Sequence, residues 1–549
     1  LILVDITVLD SCGCVPQGWL NMKTEESISK PGQSRRYNDS EDAPRRHKFQ
    51  VAAILTILVG LFYLAWAAYN YNPAHSVAAW LYLFSEAFCL WLFILSMGGL
   101  WRLRFKPDTG LIASKEYSVD IFVPTCGEPM GVISKTLTAI KAIRWKGLLQ
   151  VYVLDDGASD EVQALAQRWG YTYLSRARQG VLQMDAKGGN LNFGLKHSTG
   201  ELVLTMDADQ VPDPDIIEKL AGYMKFERVA FVQSKQRYFV YENDPFYNKS
   251  EVFYGVVQLA MDNMDTAMAC GSGVLYRRAA LDDIGGFATW NLVEDQTTSY
   301  ELHARGWRSF YFNHPLSRGL SPTTIWGVYQ QRGQWALDTM RIFFFDNPLF
   351  KKGMPFKSRL HYLTVAQSYV FSGFMLPFFF MLPVWTCLTG NAIFSQNIGH
   401  YLVIRGIYFS LMVLSIHFMC FGGGAGNQFR HLAGLFPVYF INVIRAMFYP
   451  KGKAKPRYRT NNAGNLNRIF NSQAAVLAVL PQILLMGANL VAPFYALWAG
   501  TCPVRLVAGN AVLSAFTIWT LFHIVSAAIR RKHWAEGASP YEFYGIEKT

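Results

Sequence analysis

Three acidic clusters, Asp155-Asp156-Gly157, Asp207-Ala208-Asp209 and Val293-Glu294-Asp295, precede a Gln331-Arg332-Gly333-Gln334-Trp335 element in this 549-residue chain. Asp207 and Asp209 are alternate residues after an apolar run, so both carboxylates can be aimed at one hard cation. Mg²⁺ or Mn²⁺ commonly takes one or two carboxylates and completes its shell with phosphate oxygens, and it would neutralise charge building on a departing diphosphate. Asp295 opens a good helix start, Gln296 through Leu302. It reads either as an acid favoured at a helix N-terminus or as a general base that takes a proton from an acceptor hydroxyl. Gly271-Ser272-Gly273 beside Cys270 is an ordinary turn, or a place where a chain passes close to the backbone. Trp335 is a core or interfacial aromatic, or a flat platform for a ring to stack on. Arg332 can pair with diphosphate or face anionic lipid.

These residues need strands to present them. Ser118–Val123 ends at Pro124-Thr125-Cys126-Gly127, Leu149–Leu154 ends at Asp155, and Glu201–Met206 ends at Asp207. Short apolar runs with polar residues at their C-terminal ends, separated by helical patterns, predict an open α/β sheet over residues 118–345. Its ligand site would lie at the strand ends.

Apolar stretches flank that domain. Residues 49–69 and 78–101 are each long enough to cross the roughly 30 Å hydrocarbon core, and four more follow near 365–388, 402–423, 473–497 and 507–529. The composition agrees: 51% hydrophobic, 15% aromatic and 16% charged, against roughly 25% charged in an ordinary soluble domain. The formal charge of +12 does not argue for nucleic acid, because Lys and Arg gather beside the apolar spans. Arg45, Arg46, His47 and Lys48 precede the first span, Arg102, Arg104 and Lys106 follow the second, and Arg530, Arg531 and Lys532 follow the last. The positive-inside rule then puts the α/β domain and both flanks in the cytoplasm. Residues 431–449 have basic residues at both ends and read as lying on the cytoplasmic surface rather than crossing. Eight scattered cysteines contain no CxxC pair, so neither a zinc site nor a disulfide framework is indicated. Met22-Lys23-Thr24 reads like a start, and residues 1–21 are set aside as a leader.

In this order the motifs resemble those of family 2 processive glycosyltransferases, particularly the bacterial cellulose synthase catalytic subunit and related β-glucan (curdlan or mixed-linkage) synthases. Val119 through Pro129, including Thr125 and Glu128, resembles that family's first strand and uracil-side turn. Ala186-Lys187-Gly188-Gly189-Asn190-Leu191-Asn192 resembles its Lys-Ala-Gly-Asn-Leu-Asn stretch near the nucleotide. Phe253–Gln258, Cys270–Gly273 and Met340 through Leu349 match as well. The resemblance implies a glycosyltransferase-A-like cytoplasmic domain inserted in an α-helical bundle of about six spans plus interfacial helices. It implies that Thr125, Glu128, Asp155, Asp156, Lys187, Asp207 and Arg332 hold a UDP-sugar, with Asp207 and Asp209 on a divalent metal, Mg²⁺ or Mn²⁺. Asp295 would be the base, and Gln331, Trp335, Cys270, Gly271 and Glu294 would hold the acceptor. The implied reaction is inverting: UDP-glucose is the donor, a growing β-glucan the acceptor, and the polymer leaves through the chain's own channel in the lipid bilayer. Accessory secretion subunits would be further partners, and nucleic acid would not.

The implied organisation is a leader and cytoplasmic tail (1–48), two transmembrane helices (49–101), the cytoplasmic glycosyltransferase domain (102–350) and an interfacial helix (351–364). Two transmembrane helices (365–423), an interfacial helix with a gating-type loop (424–472), two transmembrane helices (473–529) and a cytoplasmic tail (530–549) follow. The family's Gln-x-x-Arg-Trp has Gln334 where an arginine would face the diphosphate, so either Arg332 substitutes for it or pyrophosphate binding is weaker. Its Phe-x-Val-Thr-x-Lys loop has only an approximate counterpart in Tyr458–Asn462. Residues 530–549 leave no room for a cyclic-di-GMP-binding β-barrel. Two other readings compete: a non-processive transferase acting on a lipid carrier, and a weakly active nucleotide-sugar-binding subunit. The Gln-x-x-x-Trp element and the four trailing spans argue against the first, and Gln334 alone favours the second.

Overall fold

Alternation along the central strands decides how the α/β domain is built. In β1 (Val119–Thr125) and β2 (Leu149–Asp155), Ile121, Val123 and Val153 enter one buried cluster, while Phe122, Tyr152 and Leu154 enter the cluster on the opposite face. Both faces are covered, so β1 is buried along its whole length, and each such side chain contributes about 1.5–3 kcal/mol relative to exposure.

The other strands are β3 (Thr172–Leu174), β4 (Leu202–Thr205), β5 (Gln210–Pro212), β6 (Val229–Tyr238), β7 (Val274–Arg277) and β8 (Arg308–Gly319), in the sheet order β3-β2-β1-β4-β7-β6-β8-β5. β1 pairs in parallel with β2 and β4, setting Thr125 opposite Asp155 and Phe122 opposite Thr205. β4 then pairs antiparallel with β7, Thr205 opposite Val274, which lays the Cys270–Gly273 turn beside Asp207. The parallel strands β3-β2-β1-β4 thus meet antiparallel β7 at β4, where the acidic residues are gathered, and beyond β7 the sheet is mixed, with β6 parallel to β8.

This is a computed structural model describing residues 39–101, 111–394, 398–420, 425–453, 455, 472–530, 532–534 and 539–545. Among the described residues, six helices are long and apolar enough to cross a membrane: Pro44–Tyr69, Pro73–Leu100, Phe356–Thr389, Ile398–Met419, Leu480–Ala499 and Val504–Ile529. The third span differs from the sequence expectation. Residues 351–364 do not form a separate interfacial helix; from Phe356 they are the first turns of a helical run that continues through a π-turn at Phe371–Met375 to Thr389. No residue between 356 and 370 breaks the backbone ladder, so the polar opening merges with the apolar span.

The stretch expected on the membrane surface divides into two helices, Ala425–Gly434 and Phe436–Ala446. The second rises only about 16 Å, half of the hydrocarbon core. An independent contact fixes the parity of crossings. Trp534, beyond the last span, stacks on Tyr241 of the α/β domain at 4.3 Å between ring centroids. Domain and tail therefore share one side, so an even number of crossings separates them. On the opposite side the links between spans meet: Asn72 N–H donates to Ile393 O at 2.7 Å, and Tyr71 bridges Phe394.

A charge pair lies inside the bundle. Arg405 Nε of the fourth span donates to Glu86 Oε1 of the second at 2.7 Å, and the Tyr82 hydroxyl donates to the same oxygen at 2.7 Å. Within hydrocarbon such a pair persists only when both partners are present.

Candidate active site

Lys187 is the hub. Its Nζ lies 2.7 Å from Asp207 Oδ1 and 3.0 Å from Glu294 Oε1, and it donates to Gly271 O at 3.2 Å. Gly271 has φ +79°, a left-handed conformation, and a methyl built on it would meet Lys187 Nζ at 2.9 Å and Asp295 Oδ2 at 3.0 Å. Glycine is therefore required there twice over, by backbone angle and by the crowding of charged groups. Five expected site residues, Lys187, Asp207, Gly271, Glu294 and Asp295, converge on this point.

Asp295 sits in the first turn of the helix Glu294–Ala304. Its Oδ1 accepts from Gln296 N–H at 2.6 Å, so the helix-start reading is true of one oxygen. Oδ2 faces Gly271. Burial and the Glu294 carboxylate push the Asp295 carboxyl above the usual range, while Lys187 opposes the shift. That makes it a stronger base than an ordinary aspartate.

Asp209 lies on the other side of Asp207. Burial, Asp207 and Glu128 push its carboxyl up to about 8. Glu128 is raised as well, chiefly by burial, although its Oε2 accepts from Cys126 N–H at 2.7 Å. Mutual repulsion among these carboxylates fits a hard cation. Among the described residues no group of three or more His, Cys, Asp or Glu is arranged to hold a metal, so the donor set that fits is the aspartate pair completed by phosphate oxygens.

Thr125, Asp155 and Asp156 form a neighbouring turn rather than part of the hub. Asp155 Oδ1 accepts from Thr125 Oγ1 at 3.1 Å and Gly157 N–H at 2.8 Å, and Oδ2 accepts from Ser159 N–H and the Tyr173 hydroxyl, each at 2.8 Å. Its carboxylate is fully engaged in shaping the turn. Asp156 receives a bidentate Arg176, Nε to Oδ1 at 2.8 Å and Nη2 to Oδ2 at 2.5 Å. Arg176 also donates to Ala186 O at 3.1 Å, tying this turn to the helix Ala186–Lys196 that carries Lys187. Arg176 carries no motif of its own, and its distance along the chain from Asp156 hides the pairing.

Cys270 is held by strand β6: its N–H donates to Gln233 Oε1 at 2.6 Å and its carbonyl accepts from Gln236 Nε2 at 3.1 Å. Burial and Asp295 push its thiol up, leaving it a protonated wall.

The helix Ile325–Phe345 carries Gln331 and, one turn later, Trp335, which is 37% exposed. Gly333 presses against the helix Phe436–Ala446, where an added methyl would lie 2.8 Å from Asn442 Nδ2. Arg332 is engaged with the loop at 247–250 and with Trp335. Its Nη2 donates to Ser250 Oγ at 3.1 Å and Tyr247 O at 3.3 Å, and its guanidinium lies 4.4 Å over the Trp335 ring. Residue 332 lies one turn from Trp335 on the same helix face, about 200° around the axis from residue 334.

Asp338 is the residue that motif reading passes over. Fully buried, its Oδ2 accepts from Val293 N–H at 2.6 Å and Leu292 N–H at 2.8 Å. Arg341, also fully buried, donates to Asn291 Oδ1 at 2.7 Å. The helix bearing Trp335 thus grips the loop that places Asp295. At the lip of the site, Lys455 bonds to Asp185 and to Thr289 O. The gating-type loop expected at Tyr458–Asn462 lies outside the described residues.

Residues 117–337 match the family described as glycosyltransferase like family 2, and residues 282–430 match the cellulose synthase family. The sheet and its strand-end acids thus lie in the part of the chain that is similar to family 2 glycosyltransferases, between helices long and apolar enough to cross a membrane. In sequence the chain is similar to UDP-forming catalytic subunits of bacterial cellulose synthases, as its motif order implies. The cellulose synthase 1 catalytic subunit of Komagataeibacter xylinus is 27% identical over 536 residues, covering 90% of this chain and 69% of that protein. The catalytic subunit of Xanthomonas axonopodis pv. citri is 33% identical over 298 residues, covering 52% of this chain and 39% of that protein. Of six further curated relatives, the chain spans between 21% and 53% of the length. Among solved structures, the mannosyltransferase PcManGT from Pyrobaculum calidifontis, in complex with GDP-Man and Mn²⁺, is 19% identical, with TM-score 0.46 over 62% of this chain and 97% of that one.

Proposed function

We propose that this protein is a processive, inverting β-glucan synthase that polymerises glucose from UDP-glucose on the cytoplasmic side and passes the polymer through its own membrane helices. One observation carries the reading: Asp295, Lys187 and Asp207 converge on Gly271, and the helix bearing Gln331 and Trp335 holds the Asp295 loop through Asp338. A single transfer to a carrier would not need an exposed aromatic platform fixed to the base.

In the reaction an acceptor hydroxyl oxygen attacks the anomeric carbon as the bond from that carbon to the diphosphate oxygen breaks. Asp295 takes the hydroxyl proton, and UDP leaves with the bonding electrons. Asp207 and Asp209 would hold a divalent cation, Mg²⁺ or Mn²⁺, which supplies charge neutralisation at the diphosphate when bound. Lys187 brings its ammonium to the same place, released from Glu294 and Gly271 O toward phosphate oxygens. Trp335 presents its face to an acceptor ring, and Cys270 and Gly271 form a wall close enough to orient the terminal hydroxyl. Thr125, Glu128, Asp155 and Asp156 shape the turns on the nucleotide side, with Arg176 bracing them.

The test is incorporation of labelled glucose from UDP-glucose into precipitable polymer by the purified protein in lipid nanodiscs, with Mg²⁺ or Mn²⁺, followed by linkage-specific glucanases. Polymer digested by one of them supports the reading and names the linkage. Transfer of one sugar to lipid, with no polymer beside a working control, overturns processivity.

A further inference from the structure

The Asp207-Ala208-Asp209 stretch is pinned at three successive residues. Asp207 N–H donates to Ser272 Oγ at 3.0 Å. Thr136 Oγ1 donates to Ala208 O at 2.8 Å. The Tyr544 hydroxyl donates to Asp209 O at 2.6 Å. The first two partners belong to the α/β domain, but Tyr544 lies beyond the last membrane span.

Its arrival there is built rather than incidental. The turn Pro540–Tyr544 packs in a cluster with Val132, Phe239 and Leu320, and Tyr544 is 4% exposed. Phe543 meets Phe239 at 4.9 Å between centroids, with the Arg318 guanidinium 4.0 Å over the Phe239 ring and Lys135 Nζ 4.9 Å over Phe543. Upstream, Glu242 N–H donates to His533 O at 2.8 Å, and Trp534 stacks on Tyr241. Two aromatic anchors therefore hold the tail on the domain, one on either side of residues 535–538. The ring of Tyr544 fills the groove, and its hydroxyl satisfies a carbonyl that leads directly into β5.

We propose that Tyr544 is a positioning residue for Asp209: the segment following the last span docks on the catalytic domain and sets the backbone that presents the aspartate pair to a divalent cation and a nucleoside diphosphate. The proposal rests on the reading of Asp207 and Asp209 as the metal and diphosphate site.

The experiment is Tyr544→Phe in the full chain in nanodiscs, which keeps the ring and removes only the hydroxyl. Two quantities are read without turnover: backbone amide exchange in peptides spanning 206–212, and binding of Mn²⁺ with UDP by calorimetry. The expected result is faster exchange in those peptides, with β1 peptides and the melting temperature unchanged. Mn²⁺–UDP binding weakens about fivefold, the scale of one neutral hydrogen bond. Exchange and binding equal to the parent's would overturn the proposal, as would faster exchange with unaltered binding. A parent chain that binds no UDP with Mn²⁺ would instead sink the site reading on which the proposal stands.

Discussion

Val293 gives its backbone N–H to Asp338 at 2.6 Å, and through that bond the helix carrying Trp335 sets the position of Asp295, the proposed base, two residues further on. Asp338→Asn keeps an oxygen at the site but loses the charge that balances buried Arg341. Charge-assisted bonds are roughly twice as strong as neutral ones, so the Val293 and Leu292 anchors slacken. We expect kcat to fall about tenfold with the KM for donor little changed. Burial pushes the Asp338 carboxyl up to about 6 although Arg341 and the two N–H donors oppose it, so the charge is poised and removable. Steady-state rates and a melting curve check this; an unchanged kcat would detach the helix from the base.

The pH profile follows from Asp295. A base must be unprotonated, and burial and Glu294 raise the pH at which Asp295 loses its proton. Activity at limiting donor should therefore fall on the acid side at a pH above the ordinary carboxylate value of about 4. Stability runs the other way: a carboxyl that holds its proton more tightly when folded adds stability at low pH, and this is lost as pH rises through its folded value. Rates from pH 4 to 9, with thermal melts in the same buffers, measure both slopes. An acid limb at about 4 would contradict the environment described for Asp295.

Gly271 offers a steric test. Its φ of +79° and the 2.9 Å approach of Lys187 Nζ leave no room for a methyl. Gly271→Ala should cost about 1–2 kcal/mol from the backbone conformation alone, and it displaces Lys187 from Asp207. The predicted outcome is a lower melting temperature together with at least a tenfold loss of donor turnover. Wild-type turnover in this variant would mean that the three charged groups do not act on one point.

How much of this was legible in the sequence depends on how far apart the partners lie. β1, β2 and β4 end where their apolar runs meet Thr125, Asp155 and Asp207, because a run covered on both faces carries its own signature. The spans were legible for the same reason, and the charge-based crossing count agrees with the contact of Trp534 with Tyr241. The junction at Phe356 was not, since a polar opening followed by an apolar helix looks the same whether or not the helix is continuous. Asp156–Arg176 and Asp338–Val293 were hidden because hydrogen bonds across a fold leave no periodicity. The contacts of Arg332 with Tyr247, Ser250 and Trp335 were hidden as well, because a motif gives the residue type and not where two positions on a helix point, roughly 100° of rotation per residue. Tyr544 lies farthest from its partner in sequence, and only the folded chain brings it to Asp209.

The central claim is that Asp295 is the base of a polymerising transferase, and Asp295→Asn in the nanodisc assay tests it most directly. Asparagine keeps the size and the bond from Gln296 N–H but cannot take a proton. Polymer formation should drop by about 10²–10⁴, the usual contribution of a general base, while UDP binding with Mn²⁺ stays within about twofold of the parent. Polymer made at the parent rate would contradict the account.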